Sequence, residues 1–208
     1  MFIKIGGVPG AGKTTIAKLL IEQLKENGVD VGTIHGAEIL AQILGVSLEE
    51  LRILPENEKA GAREKMYQIM YTRDRENPYR ILIRDAHFCM LDTSTHQFVT
   101  APLQEEDFQQ MKAVIVLDVP AEEILRRRTN DKRDRADRSL NIMTIEEEIR
   151  AELTEAKKQS KRLGIPLFII PNHNRLPSDT CQEIRMRLGQ SIYSERESIS
   201  GSGIERTR

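Results

Sequence analysis

Residues 7–14 read Gly7-Val8-Pro9-Gly10-Ala11-Gly12-Lys13-Thr14, which matches G-x-x-x-x-G-K-[ST] at every fixed position. The residue types explain the chemistry. Glycines let the backbone turn several N–H groups toward one point, and a helix starting at the lysine adds the partial positive charge of its N-terminus. Together they hold a chain of phosphates. Lys13 is expected to reach the outer phosphates, Thr14 to offer its hydroxyl to Mg²⁺, and Thr15 to contact an inner phosphate. The plain alternative is a glycine-rich turn that binds nothing. A dinucleotide fingerprint is a second alternative, and the Gly-Lys-Thr ending argues against it. The motif points to a nucleoside triphosphate with Mg²⁺ and leaves the acceptor of any phosphoryl group open.

A second stretch invites chemistry. Residues 126–138, RRRTNDKRDRADR, carry seven basic and three acidic side chains. Solvated charge on a helix end, a nucleic-acid arm, or a lid of cations over phosphates would each use such a run. The whole chain decides against the arm. Its formal net charge is -1, whereas a general nucleic-acid binder carries a basic excess. The 208 residues fit one domain, and with 39% hydrophobic but only 4% aromatic residues the core must be aliphatic. The opening MFIKIGGVPG leaves no room for a signal peptide, and no run is long and apolar enough to span a membrane, so the expectation is cytoplasmic. Cys89 and Cys181 are too few for a disulfide framework or a four-cysteine zinc site.

The elements that must position these residues alternate in type. Short apolar runs at 2–5, 29–35, 80–85, 113–120 and 166–171 read as strands. Between them lie helical patterns at 16–28, 36–45, 47–54 (with a Ser47/Glu50 capping box), 55–76, 121–128, 144–164 and 178–190. The alternation implies an α/β, three-layer P-loop NTPase fold, a five-stranded parallel sheet flanked by helices. Residues 1–190 form that domain. Segments 36–75 and 127–141 sit on it as an acceptor-binding region and a lid, and the polar residues 191–208 read as a disordered tail.

Sequence features separate the classes that share this loop. A base-reading N-K-x-D segment of a GTPase is absent. The Asp-Glu pair of a motor or AAA-type ATPase is absent too, since Asp85 precedes Ala86 and Asp118 precedes Val119. A short chain with an N-terminal phosphate loop and an arginine-rich segment after its fourth strand reads as a small-molecule kinase. Over residues 1–188 the chain resembles the archaeal-type adenylate kinase family, a branch of the P-loop nucleoside monophosphate kinases. The residues that carry the resemblance are GVPGAGKTT, EELRIL with Arg52, DAH at 85–87, EEILRRR before the lid, IEEEI after it, and NR at 174–175. Beyond His87 the acceptor segment departs from the family pattern.

The resemblance implies Mg²⁺-dependent transfer from ATP to a nucleoside monophosphate, most simply AMP. It also implies small-molecule nucleotide partners and a homo-oligomer, a trimer. On this reading Arg52, Asp85 and His87 meet the acceptor, with Arg63 a weaker candidate. Asp85 also holds Mg²⁺ through water beside Thr14. Lys13, Arg127, Arg135 and Arg138 neutralise the transferring charge, with Arg128 a further lid cation, and the NR pair lies near the adenine. A phosphate acceptor needs no general base. A hydroxyl acceptor would, and Asp85 could then be that base, as in a kinase of a nucleoside or of a polynucleotide end. A nucleotide-binding regulator without turnover is the remaining alternative.

Overall fold

The computed structural model describes residues 1–77, 80–92, 95, 97–131 and 138–200, without the side chains of 52, 56 and 190–200. The elements run β1 (Phe2–Gly6), α1 (Lys13–Glu26), β2 (Val31–Ile34), α2 (Gly36–Leu44), α3 (Leu48–Ile53), α4 (Glu56–Glu76), β3 (Ile81–Asp85), β4 (Cys89–Asp92), β5 (Gln97–Thr100), α5 (Asp107–Gln110), β6 (Met111–Asp118), α6 (Ala121–Thr129), α7 (Ile142–Leu163), β7 (Leu167–Pro171) and α8 (Pro177–Ser200). Five strands form one parallel sheet in the order β2-β3-β1-β6-β7.

Alternation along the strands sorts side chains into two cores. Ile3 and Ile5 join Ile83, Ala113, Ile115 and Leu117 on one face, against Ile16 and Leu20 of α1 and Ile184 of α8. Phe2, Leu82, Val114 and Val116 pack on the other, against Leu40, Met66, Tyr71 and Ala156 from α2, α4 and α7. This second face is not uniformly apolar. Lys4 and Arg84 lie on it, opposite each other in the β1–β3 register and both buried.

Capping sets the helix ends. Ser47 and Glu50 form the expected reciprocal box at α3. The Asn141 side chain accepts from the backbone of Met143 and Thr144, which starts α7 two residues before the sequence pattern placed it. Two elements differ from expectation. Segment 89–100, where no strand was expected, is an antiparallel hairpin pairing Cys89 with Thr100 and Asp92 with Gln97. Residues 191–200, expected as part of a disordered tail, are helical, because α8 continues to Ser200. Residues 190–200 contain neither proline nor glycine to stop it. Residues 201–208 lie outside the described residues. Both cysteines are buried free thiols.

One glycine in β1 is required by close approach rather than by its backbone angle. A Cβ at Gly6 would sit 2.2 Å from Phe88 Cε2 and 3.2 Å from Glu152 Oε1. Gly6→Ala should therefore lower stability by about 1–3 kcal/mol in urea unfolding, and adding Phe88→Leu should restore part of it. An unchanged Gly6→Ala midpoint would mean that Phe88 can leave this face freely.

Candidate active site

The β1–α1 loop turns on three glycines with positive φ, Gly7 at 139°, Gly10 at 95° and Gly12 at 93°. Ala11 N–H donates to Val8 O at 3.0 Å and closes the turn. Asn172, after β7, braces the loop from outside: its Nδ2 donates to Ala11 O at 2.7 Å, and its Oδ1 accepts from Thr180. Lys13 is buried, and its Nζ donates to Gly7 O at 2.6 Å and Val8 O at 3.3 Å. Burial pulls its pKa below the ordinary lysine value, opposed by Asp85 and Glu152. Thr14 and Thr15 are exposed at the start of α1, and Thr14 Oγ1 donates to Asp85 Oδ2 at 2.6 Å. Val8, Pro9, Gly10, Gly12, Lys13, Thr14 and Thr15 all border one cleft of about 1600 Å³.

This arrangement fits a triphosphate and Mg²⁺. The loop combines left-handed glycines, a helix N-terminus and a buried ammonium. A hydroxyl and a carboxylate share one point at its end, and these are hard oxygen ligands suited to Mg²⁺. Among the described residues no three His, Cys, Asp or Glu side chains cluster as a metal site. The ion would then draw its other ligands from phosphate and water.

The arginines that follow β6 do different work. Arg127 donates to Glu123 at 2.7 Å, to Gly10 O and Ala11 O at 3.2 and 3.3 Å, and to Asn172 O at 2.7 Å, so it grips the outer rim of the loop. Hydrogen bonds from Arg126 and Arg127 hold the Glu123 carboxyl down at about 2. Arg128 is buried and joins Pro9 O at 3.0 Å, Ser139 O at 2.8 Å and the Glu148 carboxylate. It ties the end of α6 to the loop, to Ser139 and to α7. Arg138 pairs with Asp131 at 3.1 Å and borders the cleft. Arg135 and the side chain of Arg52 lie outside the described residues.

Sequence reasoning passed over Glu152. It lies on the buried stripe of α7 with Ile145, Glu148, Ala156 and Gln159. Its carboxylate accepts from the backbone N–H of Gly7 at 2.8 Å, Phe88 at 2.9 Å and Cys89 at 2.7 Å. Burial raises its pKa, opposed first by those N–H donors and by Lys13. The signal was the i, i+4 spacing of Glu148 and Glu152 on an otherwise apolar stripe. His87 is 4.0 Å from Glu152 through Nδ1. Burial and the nearby Lys13, Lys4 and Arg138 hold its imidazole well below the usual histidine value, so that contact is not an ion pair.

The cleft continues toward α2–α4, where His35, Lys59, Arg63 and Tyr67 border it, and its floor includes Lys4, Arg84, Asp107 and Gln159. Lys4 Nζ donates to Gln159 Oε1 at 3.3 Å and lies 3.7 Å from the centroid of the Phe88 ring. Arg84 pairs with Asp107 at 3.5 Å, and Tyr71 OH donates to the same carboxylate at 2.7 Å. A lysine inside FIKI and an arginine inside ILIRD were the visible sequence signs of this polar floor.

A parallel sheet with a phosphate loop at the carboxyl end of its central strand defines the P-loop class of nucleotide-binding α/β proteins. Comparison with known proteins goes further. Residues 6–146 match AAA_17, described as an AAA domain, and the chain belongs to that family of P-loop kinase domains. The adenylate kinase of Methanothermobacter thermautotrophicus is 23% identical over 184 residues, 88% of this chain and 96% of that protein. The resemblance to archaeal-type adenylate kinases is thereby borne out. Among solved structures, shikimate kinase from Acinetobacter baumannii in complex with shikimate superposes with a TM-score of 0.54 at 19% identity, covering 91% of this chain and 93% of that one. Shikimate kinase from Bacteroides thetaiotaomicron gives 0.54 at 14% identity, covering 90% and 98%. These structural likenesses carry the fold.

Lys4 links the cleft floor to stability. Burial and the adjacent Arg84 lower its pKa from 10.5 to about 7. Above about pH 7 the folded chain has released this proton while the unfolded chain keeps it, so the unfolded state binds more protons and stability rises with pH. From about pH 7 to about pH 8.5, the unfolding free energy of the wild type should climb relative to Lys4→Met by up to about 1.4 kcal/mol per pH unit. Parallel pH dependences for the two proteins would overturn this assignment.

Proposed function

We propose that the chain transfers the γ-phosphoryl group of ATP, in the presence of Mg²⁺, to a nucleoside monophosphate, AMP first. The observation that carries this reading is the 2.6 Å hydrogen bond from Thr14 Oγ1 to Asp85 Oδ2. It directs Asp85 toward the hydroxyl at the end of the phosphate loop, the place for a metal-holding carboxylate rather than a base beside an alcohol. A phosphate oxygen is ionised near neutral pH, so transfer to it rests on positioning and charge neutralisation. Bound Mg²⁺ would supply neutralisation of the phosphate oxygens, with Thr14 and Asp85 holding it. Lys13 supplies the fixed ammonium, Arg127, Arg135 and Arg138 the lid cations, and Arg52 with His87 the acceptor contacts. The M. thermautotrophicus relative, named adenylate kinase and matched along nearly its whole length, supports the same acceptor.

The test incubates the protein with Mg-ATP and, separately, AMP, CMP, UMP, GMP and nucleosides. Stoichiometric ADP formation with AMP is expected. Labelling of a nucleoside or of a polynucleotide end with inert monophosphates would replace this reading by the hydroxyl-acceptor one. ATP binding without any transfer would leave a regulator.

Variants sharpen the roles. Asp85→Asn should slow transfer to AMP by about 10–100-fold, partly restored by higher Mg²⁺, as expected for a metal-orienting group. Complete loss that Mg²⁺ does not relieve would instead mark Asp85 as a base. Lysine at Arg127, Arg135 or Arg138 should lower kcat, because an ammonium does not reproduce a two-pronged guanidinium. Unchanged rates in all three would remove the lid from the chemistry.

A further inference from the structure

Lys4 and Arg84 sit side by side in register on adjacent strands, on the same face, with about 5% and 8% of their surfaces exposed. Two like charges this close in a low-dielectric setting repel unless a counter-charge lies between them. The protein supplies part of it: Glu152, Asp107 and Glu155 lie near Lys4 without pairing with it directly. Arg84 has the long 3.5 Å contact with Asp107, and that carboxylate already accepts from Tyr71 OH at 2.7 Å and from Gln104 N–H at 2.8 Å. Lys4 has the neutral Gln159 oxygen and the face of Phe88, and among the described residues it pairs with no carboxylate. Both cations border the same open cleft as the phosphate loop.

We propose that Lys4 and Arg84 form a second oxyanion subsite on the cleft floor, taking a carboxylate or a phosphoryl group of a small molecule. The two cations offer more N–H donors than Asp107 and Gln159 can accept, and an entering oxyanion completes the set. The subsite stands independently of which molecule receives the phosphoryl group. It adds to the cleft a demand for negative charge beyond that met by the phosphate loop. The charged and polar groups facing Lys4 are Arg84 from β3, Asp107 from α5, and Glu152, Glu155 and Gln159 from α7. Lys4 is the one whose charge changes near neutrality.

The experiment follows the thermal unfolding midpoint of the full chain in saturating Mg-ADP, which occupies the phosphate loop. Acetate or sulfate replaces chloride at constant ionic strength. Acetate stands for a carboxylate and sulfate for a phosphoryl group, and neither changes charge near neutral pH. At least one should raise the midpoint saturably, with an apparent affinity about tenfold weaker in Lys4→Met and in Arg84→Met. A response to acetate alone assigns a carboxylate, and to sulfate alone a phosphoryl group. The wild type carries an independent arm should a variant not fold: its affinity should fall as pH rises from about 6 to about 8.5, as Lys4 loses its charge. Rises that never saturate, affinities equal in the variants, or a wild-type affinity constant across that pH range would overturn the subsite.

Discussion

One carboxylate, that of Glu152, holds two separate pieces of backbone in a fixed relation through three N–H groups. It accepts from Gly7 at the entry of the phosphate loop and from Phe88 and Cys89 just beyond β3. A buried N–H without an acceptor costs about 1–3 kcal/mol. By meeting all three from α7, a single side chain fixes the loop that faces phosphate against the strand end that carries Asp85. The 2.6 Å contact between Thr14 and Asp85 then follows from where the two backbones are held.

Arg128 plays the complementary part above the loop. Its guanidinium reaches Pro9, Ser139 and Glu148, three points separated widely along the chain. Glu148 and Glu152 lie one helical turn apart on α7, so this one helix anchors the lid base and the loop entry together. Arg127, next in sequence, faces the other way and clasps the loop rim and the turn after β7. Neighbouring arginines thus divide into one sealed inside the frame and one at its border, a division that charge composition alone does not reveal.

The parts of this molecule governed by local rules were legible in the sequence. The loop motif, the strand and helix alternation and the Ser47 cap depend on residue type and spacing, and the sheet places them as those rules imply. Other parts depend on partners far away in the chain. The hairpin at 89–100 escaped notice because its strands are four residues each and largely exposed on β5, so neither shows a clear apolar alternation. Glu152 looked like one more charge on a charged helix, and Lys4 and Arg84 like interruptions in apolar strands. Their meaning emerges only when α7 lies across the sheet. Arg127, expected among the lid cations, also donates to the carbonyls of the loop rim, contacts that a basic run does not reveal.

The position of β1 in the sheet has a bearing on biogenesis. The first strand is central, and it pairs with Leu82 on one side and Met111 on the other through Phe2 alone. Its loop is completed only by Arg127, Glu152 and Asn172. A ribosome therefore releases the nucleotide loop long before it releases anything that can hold the loop in shape. Such distant pairings make folding slow relative to local structure. During synthesis the apolar strand FIKI must wait, exposed, for most of the chain to appear, which makes the nascent protein a natural client for chaperones. Nucleotide can contribute fully to its stability only once Asn172 has been made.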